Sequence, residues 1–331
     1  MKLVIQVPCF NEEASLPVTL AALPRQLPGI DVIEYLVVDD GSSDRTVEVA
    51  KSLGVHHVVT GPHRGLARTF MAGIEASIDA GADIVVNTDA DNQYCADDIG
   101  KLVEPILAGK AEMVVGARPI DAIEHFSPLK KLLQKLGSWA VRVASGTEVA
   151  DAPSGFRAIS RNAAMQLKVF SKYSYTLETI IQAGRKGMVV TSVPIRTNED
   201  LRPSRLVKSI ASYVQRSLLT IVRIFMTYQP LRFFLLVGAV VFGAGVLIGV
   251  RFLWFLFTSS GAGHVQSLIL ASTCIMLGFI TFIVGLLADI ISVNRRLLEE
   301  INTRVWKLEQ AARAPKLPAA GGPDSDGPAP G

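Results

Sequence analysis

Two aspartates separated by one residue follow a strand-like run in the first third of the chain. The run Ile84–Thr88 leads directly into Asp89 and Asp91. Two carboxylates placed at i and i+2 at the end of a buried strand would repel one another. A divalent cation relieves that repulsion, and hard oxygen ligands suit Mg²⁺ or Mn²⁺. The spacing therefore predicts a metal site, and a solvated loop is the alternative that these residues alone leave open.

A second pair of carboxylates, Asp39 and Asp40, ends the strand-like run Tyr35–Val38. Adjacent carboxylates at a strand end can accept hydrogen bonds from a ribose or a base edge, although the Asp-Gly-Ser that follows is also ordinary turn chemistry. The first strand-like run, Leu3–Val7, carries no G-x-G-x-x-G, and no G-x-x-x-x-G-K-[ST] occurs in the chain. A nucleotide would therefore be bound without a dinucleotide fingerprint or a P-loop.

Short β-type runs alternate with amphipathic segments over the first two hundred residues or so. The predicted strands are Leu3–Val7, Tyr35–Val38, His57–Val59, Ile84–Thr88, Met113–Gly116 and Val189–Pro194, and the predicted helices include Ala14–Ala22, Thr46–Ser52, Ala67–Ala80 and Ala96–Ala108. This alternation predicts an α/β domain with a mainly parallel sheet covered by helices. Ligands bind at the carboxyl ends of the strands in such sheets, and both carboxylate pairs fall there.

Two long apolar stretches, Leu231–Phe257 and Leu268–Ala288, follow this domain. At 1.5 Å per residue each can cross a hydrocarbon core of about 30 Å, and a buried hairpin of a soluble protein is the alternative. Arginines flank the pair on one side (Arg223, Arg232, Arg295 and Arg296), whereas the connecting loop Thr258–Gln266 has no Lys or Arg. The positive-inside rule then predicts that both ends of the pair are cytoplasmic.

Amphipathic segments flank the two spans. Ser204–Tyr228 gathers its basic residues on about one third of the helical wheel, which predicts a helix in the membrane interface or, alternatively, an ordinary domain helix. After the second span a 3-4 spacing of mostly apolar residues predicts a coiled-coil-like helix. It would form a contact between copies of the chain or pack on its own domain; its residues are Ile291, Asn294, Leu298, Ile301, Val305, Leu308 and Ala312.

Composition adds limits to these expectations. The 331 residues carry a net charge of +3, too small by itself to suggest a nucleic-acid binder, and three widely spaced cysteines that predict neither disulfides nor a zinc site. The start of the sequence reads as a strand and predicts a cytosolic N-terminal domain. The predicted divisions are a domain over 1–203, an interfacial helix region over 204–230, two spans over 231–291, a cytoplasmic helix over 292–314 and a disordered tail over 315–331.

Taken together, four motifs resemble those of the family 2 glycosyltransferases of the GT-A fold. The likeness is greatest for the branch of dolichyl-phosphate mannose synthase and the bacterial polyprenyl-phosphate glycosyltransferases. P-x-x-N-E spans Pro8 to Glu12, D-D-G-S-x-D spans Asp39 to Asp44, D-x-D-x-Q spans Asp89 to Gln93, and D-x-x-S-G-F-R spans Asp151 to Arg157. The resemblance implies an inverting, metal-dependent transfer from a UDP- or GDP-linked sugar to undecaprenyl or dolichyl phosphate at the cytoplasmic face of the cell membrane.

The resemblance also implies roles for individual residues. The donor would contact Pro8, Phe10, Asn11, Glu12, Val38, Asp39, Asp40, Ser42, Asp89 and Ala90. The metal would bind Asp89, Asp91 and Gln93, and the acceptor would lie near Ser154 and Arg157. Glu178 stands where the family has an acidic motif before a helix, and the resemblance implies that it orients the acceptor or serves as a base. From their positions we further predict that Arg118 contacts phosphate and that the lipid phosphate is held by Lys130, Lys131, Arg202 and Arg205.

Other classes of protein share parts of this pattern. A processive polysaccharide synthase with a saccharide acceptor normally carries Q-x-x-R-W, and a nucleotidyltransferase carries a G-x-G-x-R loop; neither motif occurs in the chain. The lysines between Arg118 and Ser138, and the stretch from Asn198 to Arg205, depart from the pattern of the relatives. A membrane scaffold without catalytic activity remains an alternative, which cation-dependent binding of a nucleotide sugar would discriminate.

Overall fold

A mainly parallel sheet of seven strands organises the first 194 residues. The structure is a computed structural model and describes residues 1–119, 128–169, 175–198, 210–258 and 265–313. The strands are β1 Lys2–Cys9, β2 Val32–Asp39, β3 His57–Thr60, β4 Ile84–Asn87, β5 Met113–Ala117, β6 Arg157–Ser160 and β7 Val190–Pro194. Their order is β3-β2-β1-β4-β6-β5-β7, and β6 runs antiparallel to both of its neighbours. The sheet confirms the predicted α/β class.

Helices cover both faces of the sheet. They are α1 Leu16–Ala22, α2 Thr46–Ser52, α3 Leu66–Asp79, α4 Ile99–Leu107, α5 Pro128–Ser145, α6 Arg161–Gln166 and α7 Tyr175–Arg185. Two buried clusters result, one packed around Phe70 and Ile74 of α3 and the other around Leu16 and Ile99. Strands buried on both faces read as continuous apolar runs, which is why β1 and β4 were recognisable in the sequence.

The six predicted strands are all present, but β6 was missed. Its four residues begin with Arg157 and show no alternation of apolar and polar side chains, so the sequence offers no strand signal there. The segment predicted as one helix from Ala96 to Ala108 is a 3₁₀ turn over Ala96–Asp98 followed by α4.

Three further helices follow the sheet: α8 Ile210–Tyr228, α9 Pro230–Thr258 and α10 Val265–Arg313. Both α9 and α10 are long and apolar enough to cross a membrane. They pack closely at glycines: a Cβ on Gly238 would lie 2.6 Å from the ring of Phe282, and a Cβ on Gly278 would lie 2.6 Å from Phe242. Along the contact, residue numbers increase on α9 while they decrease on α10, so the two helices are antiparallel.

Helix α10 continues without a break past residue 291, where the sequence predicted a boundary between the second span and a separate helix. It runs for 49 residues, because no proline or glycine interrupts it after Gly285. Its later part packs on the α/β domain through Trp306, which is 9% exposed, whereas Ile291 and Leu298 on another face are about two-thirds exposed, at 68% and 67%. The start of the predicted interfacial helix, residues 204–209, and the predicted tail lie outside the described residues.

Candidate functional site

The carboxyl ends of β1, β2 and β4 meet at one edge of the sheet. Cys9 at the end of β1 pairs in register with Asp39 at the end of β2, and Gln6 pairs with Asn87 at the end of β4. The loops that follow these strands therefore lie side by side. This register brings together the three motifs that begin at Pro8, Asp39 and Asp89, although the first and the last begin 81 residues apart in the chain.

Asp39 accepts hydrogen bonds from backbone N–H groups of its own loop, and Asp40 accepts them from the loop before α3. Asp39 accepts from Gly41 and Ser42, both at 3.1 Å. Asp40 accepts from the N–H of Arg64 at 2.8 Å and of Gly65 at 2.9 Å, at the start of α3. Both carboxylates are nearly buried, so their main visible role is to shape the loops of the predicted donor site.

The loop after β1 is held against the loop after β2 by Asn11. The backbone of Asn11 is left-handed, with φ of 56°. Its N–H donates to the Ser42 hydroxyl at 2.9 Å, and its side-chain oxygen accepts from the N–H of Ser43 at 2.8 Å. The N–H of Glu12 donates to Thr46 Oγ1 at 2.8 Å. Of the residues predicted to bind the donor, these define the loop conformation.

An exposed aromatic pair lies beside these loops. The rings of Phe10 and His63 are 4.4 Å apart and tilted by 32°, and Nδ1 of His63 lies 2.9 Å from a carboxylate oxygen of Asp40. A solvent-facing ring of this kind can stack on a nucleobase. Phe10 was predicted and His63 was missed; its signal was the Gly-Pro-His-Arg-Gly turn directly after β3. Pro8, Val38 and Ala90 have buried side chains, and they can reach a ligand only through their backbones.

Asp89 and Asp91 form an acidic pair after β4. Burial and the charge of Asp91 raise the pKa of Asp89 to about 7, partly opposed by Arg118, Arg157 and a hydrogen bond from Tyr94. Asp91 accepts from the N–H of Gln93 at 3.2 Å. Hard carboxylate oxygens that resist carrying two negative charges fit a divalent cation. Within the part of the chain that the structure describes, no cluster of three or more His, Cys, Asp or Glu accompanies them.

The surroundings of Asp89 leave no room for a side chain at position 155. A Cβ on Gly155 would lie 3.0 Å from both carboxylate oxygens of Asp89 and 2.9 Å from the hydroxyl of Tyr175. The glycine of the S-G-F-R motif is therefore required by the close approach of its backbone to the acidic pair.

A buried polar network lies beneath the pair. Asn87 donates to the carbonyl of Gly155 at 2.9 Å and to the hydroxyl of Tyr175 at 3.0 Å, and it accepts from Gln6 at 2.8 Å. The hydroxyl of Tyr94 accepts from the N–H of Gly155 at 3.0 Å. Asn87 uses both of its donors and its acceptor in this network, which ties its partners together, whereas Gln6 Oε1 has no hydrogen-bond partner among the described residues. The sequence did not predict it, because its partners come from four distant segments.

Arg118 binds Asp151 through two hydrogen bonds, from Nε at 2.7 Å and from Nη2 at 3.1 Å. Burial opposes its charge, but the Asp151 carboxylate more than compensates and holds the pKa of Arg118 above its ordinary value. The guanidinium is close enough to lower the pKa of Asp89. Arg118 thus supplies positive charge to the site that contains Asp89, with two of its donors occupied by Asp151.

Ser154 and Arg157, predicted to lie near the acceptor, are completely buried. Arg157 donates to the carbonyls of Ser154 and Thr176 and, at 2.6 Å, to the hydroxyl of Thr179. This placement argues against direct contact between either side chain and an acceptor in this conformation. Arg157 instead joins β6 to the first turn of α7.

Glu178 lies on α7 where that helix meets α10. Its carboxylate accepts from Arg295 at 3.1 Å, and it is 6% exposed. A role in orienting the acceptor or as a base stays a prediction. The backbones of Lys130 and Lys131 belong to α5, but their side chains lie outside the described residues, as do Arg202 and Arg205 entirely.

Comparisons with known proteins agree with this architecture. The sequence profile described as Glycosyl transferase family 2 matches residues 4–170. The UDP-N-acetylglucosamine–dolichyl-phosphate N-acetylglucosaminyltransferase of Methanococcus voltae is 31% identical over 216 residues, covering 58% of this chain and 83% of that protein. The undecaprenyl-phosphate mannosyltransferase of Micrococcus luteus is 28% identical over 206 residues, covering 59% and 83%.

Solved structures agree on the fold. Glucosyl-3-phosphoglycerate synthase of Mycobacterium tuberculosis, solved with Mn²⁺, UDP and phosphoglyceric acid, superposes with a TM-score of 0.52 at 21% identity, covering 66% of this chain and 78% of that protein. This likeness establishes the GT-A fold that the motifs implied. With a seven-stranded sheet of that fold, and a family profile that covers half of its length, the chain belongs to glycosyl transferase family 2 and is a glycosyltransferase.

Proposed function

We propose that this enzyme transfers a sugar from a nucleotide-sugar donor to a polyprenyl phosphate at the cytoplasmic face of a membrane. The observation that carries the proposal is that the acidic pair Asp89 and Asp91 lies in the same chain as α9 and α10, which are apolar enough to span a bilayer. A lipid acceptor requires a catalytic domain held at a membrane. The names of the relatives from Methanococcus voltae and Micrococcus luteus support the same class of acceptor.

The donor would bind along the carboxyl ends of β1, β2 and β4. Its base would stack beside Phe10 and His63, whose rings are exposed at this edge. The loops shaped by Asp39 and Asp40 would receive the ribose and the base edge. A UDP or GDP donor would satisfy this arrangement equally well, and the sugar diphosphate would then extend toward Asp89.

The acidic pair would hold Mg²⁺ or Mn²⁺ together with Gln93. When bound, such a cation neutralises charge on the departing diphosphate. Asp89 and Asp91 provide the carboxylate oxygens, Gly155 leaves them room, and Arg118 adds positive charge beside them. The network of Asn87, Tyr94 and Tyr175 would keep the geometry fixed during the reaction, since pre-positioned groups need no reorganisation at that moment.

The acceptor would supply its own nucleophile. The second pKa of a phosphate monoester is about 6, so the lipid phosphate is already anionic at neutral pH. A strong general base is then not required, and positioning would account for most of the rate. Attack opposite the leaving diphosphate inverts the anomeric configuration. Lys130, Lys131, Arg202 and Arg205 would hold the lipid phosphate at headgroup depth, where charge-assisted contacts are strong.

The test is a transfer assay with the purified full chain in detergent or vesicles. Radiolabelled UDP- and GDP-sugars are offered with undecaprenyl or dolichyl phosphate, and the label in the organic phase is measured. We expect label in the lipid fraction with the phosphate and none with the matching polyprenol. Label transferred only to a saccharide would indicate a polysaccharide-synthase-type enzyme instead, and a chain that neither binds nor transfers any nucleotide sugar would indicate a scaffold.

A further inference from the structure

The carboxylate of Glu178 is one place where the catalytic domain contacts both α8 and α10. From α10 it accepts a hydrogen bond from Arg295 Nη2 at 3.1 Å, and from α8 it is hydrogen-bonded to the hydroxyl of Tyr228. Gln182, one turn further along α7, donates to it at 3.4 Å. A buried carboxylate surrounded by donors from three helices has the contacts of a structural junction.

Arg295 strengthens this junction from the other side. Its Nε donates to Glu299 on the same helix at 2.9 Å, and its guanidinium lies 5.3 Å from the centre of the Tyr228 ring. Further along α10, Trp306 is buried in the core of the domain, and the ammonium of Lys168 lies 4.2 Å from the centre of its ring. The cytoplasmic part of α10 is thus fixed to the catalytic domain at two places about three turns apart.

The first turns of α7 connect this junction to the acidic site. Tyr175, three residues before Glu178, lies under Asp89, where its hydroxyl accepts from Asn87 and its ring stacks on Phe70 at 4.0 Å. Thr179, one residue after Glu178, binds the buried guanidinium of Arg157. A shift of α7 would therefore move the groups that support Asp89.

We propose that Glu178 is a positioning residue rather than a base, and that its contacts with Arg295 and Tyr228 couple the placement of the membrane helices to the geometry of the Asp89 site. This inference rests on the proposed function, because it assigns a role within that reaction. In this role Glu178 accepts hydrogen bonds but takes up no proton during the reaction. A glutamine can also accept hydrogen bonds, but it cannot serve as a base.

The experiment compares Glu178→Gln with Glu178→Ala in the full chain. Loss of a general base lowers kcat by about 10²- to 10⁴-fold, whereas Glu178→Gln is expected to keep kcat within about threefold, because Gln still accepts from Arg295. Glu178→Ala and Arg295→Ala are each expected to lower kcat by about ten- to a hundredfold through misplacement of the site. Arg295→Lys, the conservative variant, should restore much of the loss, and the double alanine variant should cost little more than either single one.

A second measurement, tryptophan fluorescence, reports on the contacts around Glu178 and Arg295 without measuring turnover. In a chain where Trp139 and Trp254 are replaced by Phe, Trp306 is the remaining tryptophan, and its emission reports burial under Lys168. We expect a red shift in Glu178→Ala and Arg295→Ala and no shift in Glu178→Gln. A hundredfold loss of kcat in Glu178→Gln with unshifted emission would make Glu178 a base and overturn the proposal, and so would unchanged kcat in Arg295→Ala. If the parent chain transfers no sugar to lipid, the proposed function fails, while the emission still tests the junction.

Discussion

In the proposed reaction, the residues at the end of β4 must keep two negative charges close together. Asp89 is held against Gly155 and above Tyr175, with Asp91 two residues further along and Arg118 nearby. We propose that a bound cation allows both carboxylates to be ionised, and that close backbone packing keeps their arrangement fixed. One substitution tests the need for a cation, and another tests the need for close packing.

Replacing Asp91 by Asn removes one of the two charged ligands while keeping the size of the side chain. We expect the variant to fold and to lose most of its turnover, because an amide oxygen is a weaker ligand for Mg²⁺ or Mn²⁺ than a carboxylate. Turnover of the parent enzyme should also disappear in excess EDTA and return with added Mn²⁺. Full activity in EDTA would contradict the assignment of a metal to this pair.

Replacing Gly155 by Ala tests the packing of the pair. The added Cβ would lie 3.0 Å from both oxygens of Asp89, so the carboxylate must move, and we expect a loss of turnover of about tenfold or more. Gly137→Ala on α5 is the matched control, because its Cβ would meet nothing within 4 Å. Equal activity in both variants would show that the close approach at Gly155 is unimportant. Circular dichroism should confirm that both are folded.

At the scale of elements, the hydrophobic pattern predicted strands and helices whose signal lies within their own residues. It missed elements that form because of contacts with residues far away in the chain. The apolar runs of β1 and β4 were clear because both faces of these strands are buried. Strand β6 was missed because its antiparallel pairing with β4 and β5 is decided by neighbours far away in the chain. The same holds for the candidate site. The paired carboxylates could be predicted from their spacing in the sequence. Tyr175 and His63 could not, because only the fold brings them beside the other site residues.

The 3-4 pattern of α10 was predicted to form either a contact between copies or a contact with its own domain. The C-terminal part of α10 packs on the domain through Trp306 and Glu299, while Leu298, Ile301, Val305 and Leu308 of the 3-4 pattern are between 46% and 70% exposed. The intramolecular contact that was one alternative is therefore present. The exposed residues keep the spacing of a coiled-coil seam, and a contact between copies remains our proposal for that face.

This proposal predicts a cross-link between copies at Leu298. Two copies inserted in the same orientation would bring their α10 helices together in parallel, so that equivalent positions face each other. In a chain with Cys95 and Cys274 replaced by Ser, Leu298→Cys is expected to form a disulfide dimer in membranes under mild oxidation. Glu300→Cys, exposed on another face, is the matched control. Equal cross-linking at both positions, or none at Leu298, would speak against a seam.

At the scale of the whole molecule, the decisive question is how the chain crosses the bilayer. The arginines beside the spans and the uncharged connection between them predict that both ends are cytoplasmic. Cytosolic nucleotide sugars could reach the catalytic domain only in this orientation. The close glycine packing of α9 against α10 supports an antiparallel hairpin, whichever side its ends occupy.

Labelling of one introduced cysteine, in a chain that keeps only the buried Cys9 of its own three cysteines, tests the orientation. A cysteine at position 262 should react with a membrane-impermeant maleimide added to intact cells, and one at position 320 should react only after permeabilisation. The chain with Cys95 and Cys274 replaced by Ser and no added cysteine serves as the control. The reverse pattern would place the catalytic domain outside, away from the donor.

The unbroken length of α10 has a consequence for how the enzyme responds to its bilayer. At 1.5 Å per residue its 49 residues extend roughly 73 Å, more than twice the hydrocarbon thickness of about 30 Å. A thicker or thinner bilayer is accommodated mainly by a change in helix tilt. Helix α10 is unbroken between its apolar part and the buried Trp306. A change in its tilt would therefore rotate the catalytic domain relative to the bilayer. The composition of the surrounding lipids would then help to set the angle at which the enzyme meets its acceptor.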